Sequence, residues 1–487
     1  MKKPGKTNPL IKIRSGLLYC LPIAIFFSYH PVLTISENAT MNLELSLILI
    51  WLIIFSIFSI PSVFHLIYNV IKNKQEKKFR ILITLVIIFL LYATASIMWS
   101  KNFLRAVLTD GILWCLFLSS ISIIDIIKNS QESIKKNLLK TLCFSSLLAC
   151  LWCWIQSILD VFGADQSTTF MCDGCKTITF GFPHPNGFTA EPQYMGNLLL
   201  IPAFILLYQY FSSTPIFSKK LSTFFAVVVV STLFLTLSRG AIYAFCLAYL
   251  FMALWLIIKE RIKVKRILFS VLTVFVSFIL AVLAQGIFSE LSYTNDTFYS
   301  GIRKSLNQLS LGIIDLPVEK EEKKDNPETD EISSIHDGYI EASTNERMTL
   351  TIASLKLWSS NPLIAIFGVG IGSAGSSVNQ AYIEGFYTNE FLEKEGINEG
   401  TLTSPKKIIQ NEYVEILLEF GIIGFLLVCA IILFLIKNIK DKKESVLLYS
   451  IILSFGVSVV FSSGLPNALH IYLIIPLLAS ISANKKS

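Results

Sequence analysis

Apolar windows of 18 or more residues recur along the chain, separated mostly by short polar links. Each is long enough to cross the ~30 Å hydrocarbon core of a bilayer as a helix. The pattern predicts about twelve spans, at 16–35, 44–71, 81–100, 104–127, 138–161, 191–211, 221–238, 240–258, 267–289, 411–436, 445–463 and 465–483. The expected fold class is all-α, a polytopic helical membrane protein. Residues 1–289 form a membrane domain of about nine spans, 290–410 a large external loop and 411–487 the C-terminal spans. The stretch 319–331 is a mixed-charge tract without an apolar interior, the composition of a disordered insert. Order returns at Ser343-x-x-Glu346, which has the form of a capping box, with Met348, Ile352 and Leu355 following at helical spacing. This amphipathic helix should stop near Asn361-Pro362, ahead of the glycine-rich run Phe367-Gly368-Val369-Gly370-Ile371-Gly372-Ser373.

Composition agrees with the span pattern: 53% of the residues are hydrophobic and 15% charged. Lysines and arginines concentrate in alternate links. They occur at the N-terminus (Lys2, Lys3, Lys6, Lys12, Arg14), in the second link (Lys72 to Arg80) and in the fourth (Lys128 to Lys140). The same side carries Lys219 and Lys220, Lys259 to Arg266, Lys437 to Lys443, and Lys485-Lys486. The positive-inside rule makes that side, with both termini, cytoplasmic. Topology then accounts for the net charge of +7, which gives no reason to invoke nucleic acid. The first span follows a basic stretch but lacks a small-x-small cleavage site, so it reads as uncleaved. Seven of the nine cysteines lie in apolar spans as packing residues. Cys172-x-x-Cys175, in an external link, points to a local disulfide ahead of a metal site, because structural zinc needs two further ligands.

Candidate chemistry gathers at the external span ends. Gln410-Asn411-Glu412 enters an apolar segment, with Glu415 and Glu419 following on the same helical face and Gly421-x-x-Gly424 behind them. Acidic residues entering a span are costly unless they face protein or water; an interfacial helix cap is the plain alternative. Arg239 sits in Ser238-Arg239-Gly240, a tight turn between two spans. Its planar fork suits a phosphate or diphosphate, against the plain reading of a snorkelling arginine. Arg347 opens the amphipathic helix, where the helix dipole disfavours a cation. Glu191 precedes Pro192 at a span start, a position that capping alone explains. Arg105 and Asp110 read as a structural pair within one span. His184 and His336 lie in external loops, where either could act as a base. Backbone N–H groups of the Gly370 and Gly372 run could cradle a phosphate, although no nucleotide-binding fold surrounds it.

Together these elements resemble the O-antigen ligase and polymerase superfamily of bacterial envelope glycosyltransferases. The resemblance rests on Ser238-Arg239-Gly240-Ala241 between two spans, and on Arg347 opening a helix that leads to a Gly-x-Gly loop. It rests also on Asn411-x9-Gly421-x-x-Gly424 and on Glu191-Pro192. It implies a glycan on undecaprenyl diphosphate as donor, at the periplasmic face of the inner membrane, and transfer without metal, nucleotide sugar or other cofactor. The acceptor would be another lipid-linked glycan in a polymerase and lipid A-core in a ligase. Arg239, Arg347, Gln410, Asn411 and Glu412 then fall in catalytic positions, and Glu191, Ser238, Gly370, Gly372 and Glu415 in substrate-binding ones. The ligase pattern has a histidine where this chain has Gln410. Glutamine is no base near neutral pH, which favours polymerase over ligase; either a nearby carboxylate, with Glu412 the leading candidate, takes the base role, or positioning and leaving-group stabilisation suffice. A polysaccharide flippase or transporter is the non-enzymatic alternative; the paired half-repeats expected of one are not evident in the sequence. A sensor or structural membrane protein with an external insert is a third reading.

Overall fold

The computed structural model describes residues 9–27, 31–38, 41–72, 77–128, 132–164, 178–179, 182–189, 191–212, 215–292, 297–310, 316, 347–394, 409–438, 445–462 and 473. The 319–331 tract, all but residue 473 of the last expected span, Cys172, Cys175, His336 and the Ser343-x-x-Glu346 box lie outside them. The described chain is helical apart from two small antiparallel hairpins. One pairs β1 (Pro31–Asn38) with β2 (Met41–Ser46); the other pairs β3 (Ile178–Thr179) with β4 (Phe182–Pro183).

The helices follow the apolar windows: α1 (Pro9–Phe26), α2 (Leu47–Ile71), α3 (Lys77–Ser96), α4 (Phe103–Lys128) and α5 (Glu132–Leu159). Next come α6 (Pro192–Tyr208), α7 (Lys219–Leu235), α8 (Arg239–Ile258), α9 (Val264–Leu291) and α10 (Phe298–Leu309). A helix over 347–360 is α11, followed by α12 (Pro362–Phe367), α13 (Ala374–Ile383), α14 (Asn389–Lys394), α15 (Glu412–Asn438) and α16 (Ser445–Ser458). Among the described residues seven helices are long and apolar enough to cross a membrane, and α6 and α16 are shorter apolar helices. The expectation of about twelve is longer than this set, in part because several windows shrink, among them 221–238 to the 17-residue α7 and 445–463 to the 14-residue α16. The 191–211 window yields the 17-residue α6. The first window, 16–35, yields a helix that starts earlier, at Pro9, and stops at Phe26, before the β1–β2 hairpin.

Helix α6 forms the axis of the bundle. From Met195 to Tyr208 every side chain is buried, as expected of a helix that is apolar all round. It packs among α5, α7, α8 and α16. The crossing with α8 is close: a Cβ at Gly196 would lie 2.8 Å from Ala241 Cβ and 3.0 Å from Ser238 Cβ. Small residues at such a crossing let backbones approach inside a membrane, where dispersion replaces the hydrophobic effect as the driving force. The segment 183–189, expected as an open loop, folds back into the bundle. Gln156 donates to Asn186 Oδ1 (2.7 Å) and accepts from Gly187 N (3.0 Å). His184 is buried, with Nε2 3.3 Å from Gln308 Oε1.

Residues 347–394 fold around a small core of their own, Leu350, Ala353, Leu357, Val378, Ala381 and Tyr387, which also takes in Ile409 and Leu418. That core ties α11 to the start of α15.

Candidate functional site

Arg347, the first described residue of α11, is half-buried. Its Nε donates to Gln410 Oε1 (2.7 Å) and its Nη2 to Gln193 Oε1 (2.8 Å). One guanidinium thereby joins three segments far apart in sequence. Bonds of this kind, with a charged donor, are worth about 1.5–3 kcal/mol each. Gln193 lies in the first turn of α6, and its amide nitrogen donates to the carbonyl of Phe461, just past α16. One turn further along α6, Asn197 Nδ2 reaches Ser462 Oγ at 3.5 Å. Gln193 and Asn197 are the polar members of an otherwise apolar helix, spaced i, i+4. That spacing is a legible sequence signal of a polar face on a helix otherwise apolar all round.

Glu191 caps α6 by position, with extended backbone and without a side-chain cap bond. Its side chain is exposed, yet the surrounding protein raises its pKa above the ordinary carboxylate value, while Arg347 pulls it down. Glu191 and Arg347 therefore share one electrostatic environment.

The Ser238-Arg239 turn meets the same place from α8. A Cβ at Gly240 would lie 3.0 Å from Phe461 Cβ, so the turn packs on the residue whose carbonyl Gln193 holds. Arg239 is half-buried at the first position of α8, within electrostatic reach of Tyr243 one turn on. Ser238 Oγ and Asn197 Oδ1, on either side of the α6–α8 crossing, are buried without a hydrogen-bond partner among the described residues. Native structures leave few such atoms, and sites built for a polar ligand are one cause.

Backbone strain marks the same two turns. Among the described residues three non-glycines have positive φ: Leu237 (50°), Arg261 (48°) and Gln410 (55°). Leu237 immediately precedes Ser238-Arg239, and Gln410 holds Arg347. Non-glycine residues occupy this region at a cost of roughly 1–3 kcal/mol and cluster at functional sites.

Asn411 and Glu412 have more local duties. Asn411 caps α15: its Oδ1 accepts from Val414 N (3.3 Å) and its carbonyl from Glu415 N (2.9 Å). Glu412 is buried in the first turn, and its N–H donates to Val459 O (3.0 Å), which pins α15 to the end of α16. Tyr413 adds a bond to Gly456 O (2.7 Å).

Gly370, Gly372 and Glu415 lie elsewhere. Helix α15 is broken at Gly421, whose backbone (φ 61°, ψ −169°) is accessible essentially to glycine alone. A regular helix would offer the carbonyls of Leu418 and Glu419 to residues 422 and 423. Here they accept from Val369 N (2.9 Å) and Gly370 N (3.0 Å). The Glu419 carboxylate takes the next amides, Gly372 N and Ala374 N, the latter at 3.2 Å from Oε1. Ile371 N donates to Ser96 Oγ (3.1 Å). The amides expected to cradle a phosphate are thus engaged by α15 and α3, and the glycine run is a docking element. Glu415, one turn before Glu419, acts on that carboxylate, as does Arg105. The expected Arg105–Asp110 pair is also replaced: Thr94 Oγ1 lies 3.0 Å from both Asp110 oxygens and accepts from Trp114 Nε1 (3.1 Å).

These features define a polytopic helical membrane protein with a half-buried arginine, amides and carboxylates collected where α6, α8, α11 and α15 begin. Residues 224–429 match the O-antigen ligase family model (Wzy_C). That match covers less than half of the chain; together with the apolar helices it supports a membrane protein of the O-antigen ligase and polymerase superfamily, in polysaccharide biosynthesis. No curated protein matches the chain. The matched stretch includes Arg239, Arg347 and Gln410 but stops short of Phe461, and Glu191 and Gln193 precede it.

Proposed function

We propose that the protein is a polymerase-type glycosyltransferase that acts on an undecaprenyl-diphosphate-linked glycan at the periplasmic face of the inner membrane. An acceptor sugar hydroxyl attacks the anomeric carbon of the donor glycan. The bond from that carbon to the diphosphate oxygen breaks, and the lipid diphosphate leaves with the electron pair. Arg347 and Arg239 stabilise the growing negative charge. Glu412 takes the hydroxyl proton, with Gln410, Asn411, Glu191 and Ser238 orienting the sugars.

The observation that carries this reading is the Arg347 fork on Gln410 and Gln193. Its amide partners bring no opposing charge, so the bonds that hold the guanidinium do not neutralise it toward a phosphate group. The buried, unpartnered oxygens of Ser238 and Asn197 supply acceptors for sugar hydroxyls beside it. Glutamine at position 410 favours polymerase over ligase, because the ligase pattern uses histidine there. The deciding experiment is the surface glycan of cells lacking the protein. Loss of a polymerase leaves single repeat units on the final acceptor. Loss of a ligase leaves full-length polymer stranded on the lipid carrier, and that result would reject the polymerase reading.

A further inference from the structure

Residues 357–383 belong to the segment outside the long apolar spans, yet no charged residue lies between Lys356 and Glu384. Within it, α12 has no buried residue: Leu363 is 65% exposed, and Ile366 and Phe367 are 41% exposed. These side chains continue a larger apolar surface. Met98 and Phe103, at the α3–α4 turn, are exposed, as are Ile422 and Leu426 on α15. Trp99 lies edge-on to Phe367 at 6.5 Å. Gly368 packs on Gly421, whose position is about 14 Å along α15 from Glu412 at 1.5 Å per residue. That depth is inside the segment long and apolar enough to span.

We infer that residues 362–373 form a re-entrant insertion in the bilayer. Helix α12 lies among the acyl chains of the leaflet next to the 347–394 segment, and the glycine run returns the chain through the protein. Irregular backbone is tolerated at membrane depth where it is buried in protein with its polar groups satisfied, or where it lines a water-filled cavity. The return loop meets that demand amide by amide. Gly368 N bonds Ile364 O, Val369 N and Gly370 N bond α15 carbonyls, Ile371 N bonds Ser96, and Ser373 N bonds Gly370 O. Gly372 N and Ala374 N bond Glu419. The end of α12 is served likewise: Trp358 Nε1 donates to Ala365 O (3.1 Å) and Tyr92 OH to Phe367 O (3.0 Å). A water-facing loop of glycines would need none of this. The apolar exposed face and a return loop whose amides are all bonded are what a lipid environment selects, and the insertion would anchor the segment that carries Arg347.

Depth measurement tests the insertion without reference to activity. In the wild-type protein reconstituted in phosphatidylethanolamine–phosphatidylglycerol vesicles, a lipid-soluble diazirine should label 362–367. Absence of label there, with α15 labelled, overturns the proposal. For finer placement, Leu363→Cys and Ile366→Cys are compared with Glu384→Cys, each corrected for labelling of the native cysteines. The first two should react with a membrane-impermeant maleimide at least tenfold more slowly than the third. Bimane attached there should be quenched by brominated lipid. Equal reactivity at all three positions overturns the inference. So does protection without lipid quenching, which would mean that protein, such as a second copy of the chain, covers the face.

Discussion

Two junctions hold the 347–394 segment to the bundle, and they are made of different material. At the first, Arg347 reaches Gln193 and Gln410 through long polar side chains. At the second, Gly368 and Gly421 bring two backbones into contact, with Val369 and Gly370 donating to α15. A side-chain junction can present charge to a ligand and adjust to it. A backbone junction carries no chemistry but fixes where the segment stands. The contrast separates residues that act from residues that position, although Arg347, Gln410, Gly368 and Gly421 all lie within the stretch matched by the family model.

The backbone junction should break most completely. Both glycines adopt φ/ψ combinations essentially closed to other residues, with Gly368 at φ 76°, ψ −179°. A Cβ at Gly421 would overlap Ile366 O, and one at Gly368 would overlap Glu419 O. Strain alone is about 1–3 kcal/mol per site, before the overlap is relieved. We expect Gly421→Ala to lower the thermal midpoint and the membrane level of the protein, with activity lost as a consequence. Near-normal stability would show that the two backbones can separate.

The side-chain junction should break more selectively. Arg347→Ala is expected to abolish glycan assembly with little change in membrane level. Arg347→Lys keeps the charge but cannot bridge both amides, and should retain only a small fraction of activity. Equal activity for Lys and Arg would remove the fork from the mechanism. Glu419→Gln, which can still accept from Ala374 N, should stay close to wild type, whereas Glu419→Ala should resemble a weak Gly421→Ala.

The two junctions differ as much in how far the sequence announced them. Arg239, Arg347 and Gln410 stood out because charge and amides at span ends are rare, and the structure bonds Arg347 directly to Gln410. Gln193 was hidden by Glu191-Pro192, which looked sufficient as a helix start. The partner role of Phe461 belongs to a backbone carbonyl, which no side-chain pattern encodes. Gly421 and the 367–373 run were both visible, but their mutual packing depends on a helix break that hydropathy cannot register. The run therefore read as a phosphate cradle. Apolar windows located the helices because burial in lipid dictates composition over whole turns. They misjudged the ends, as at α1, because the β1–β2 hairpin leaves no hydropathic signature.

The Gln410 and Glu412 positions sharpen the comparison at lower amplitude. Glu412→Gln keeps volume and hydrogen bonding while removing basicity, so a base role demands a fall in polymer amount of about 10²–10⁴-fold. Near-normal polymer would leave Glu412 with a structural role at the start of α15, where its N–H holds Val459 O. Gln410→His preserves an acceptor for Arg347 Nε and should be tolerated. Complete loss with intact membrane levels would show that the strained Gln410 backbone, and not the acceptor, is what the site needs.

The smallest effect is expected at Glu191, where the two junctions' logic meets in one titration. Surrounding protein raises its carboxyl above 4.5 and Arg347 opposes the rise, so the folded state holds this proton more tightly than the unfolded chain. Between the ordinary value and the raised one, the folded protein therefore binds more protons, and stability falls as pH increases through that window. Below it both states are protonated and the contribution is fully present. Glu191→Gln removes the titration. Its stability relative to wild type should grow as pH rises through the window and level off above it. Because the side chain is exposed, solvent screening limits the difference to about 0.5 kcal/mol or less. Thermal melts of both proteins at a series of pH values from 4 upward would resolve it as a change of slope. The opposite slope would mean that attraction to Arg347 outweighs burial. Glu191 would then hold the arginine's charge in check, in place of leaving it to a phosphate.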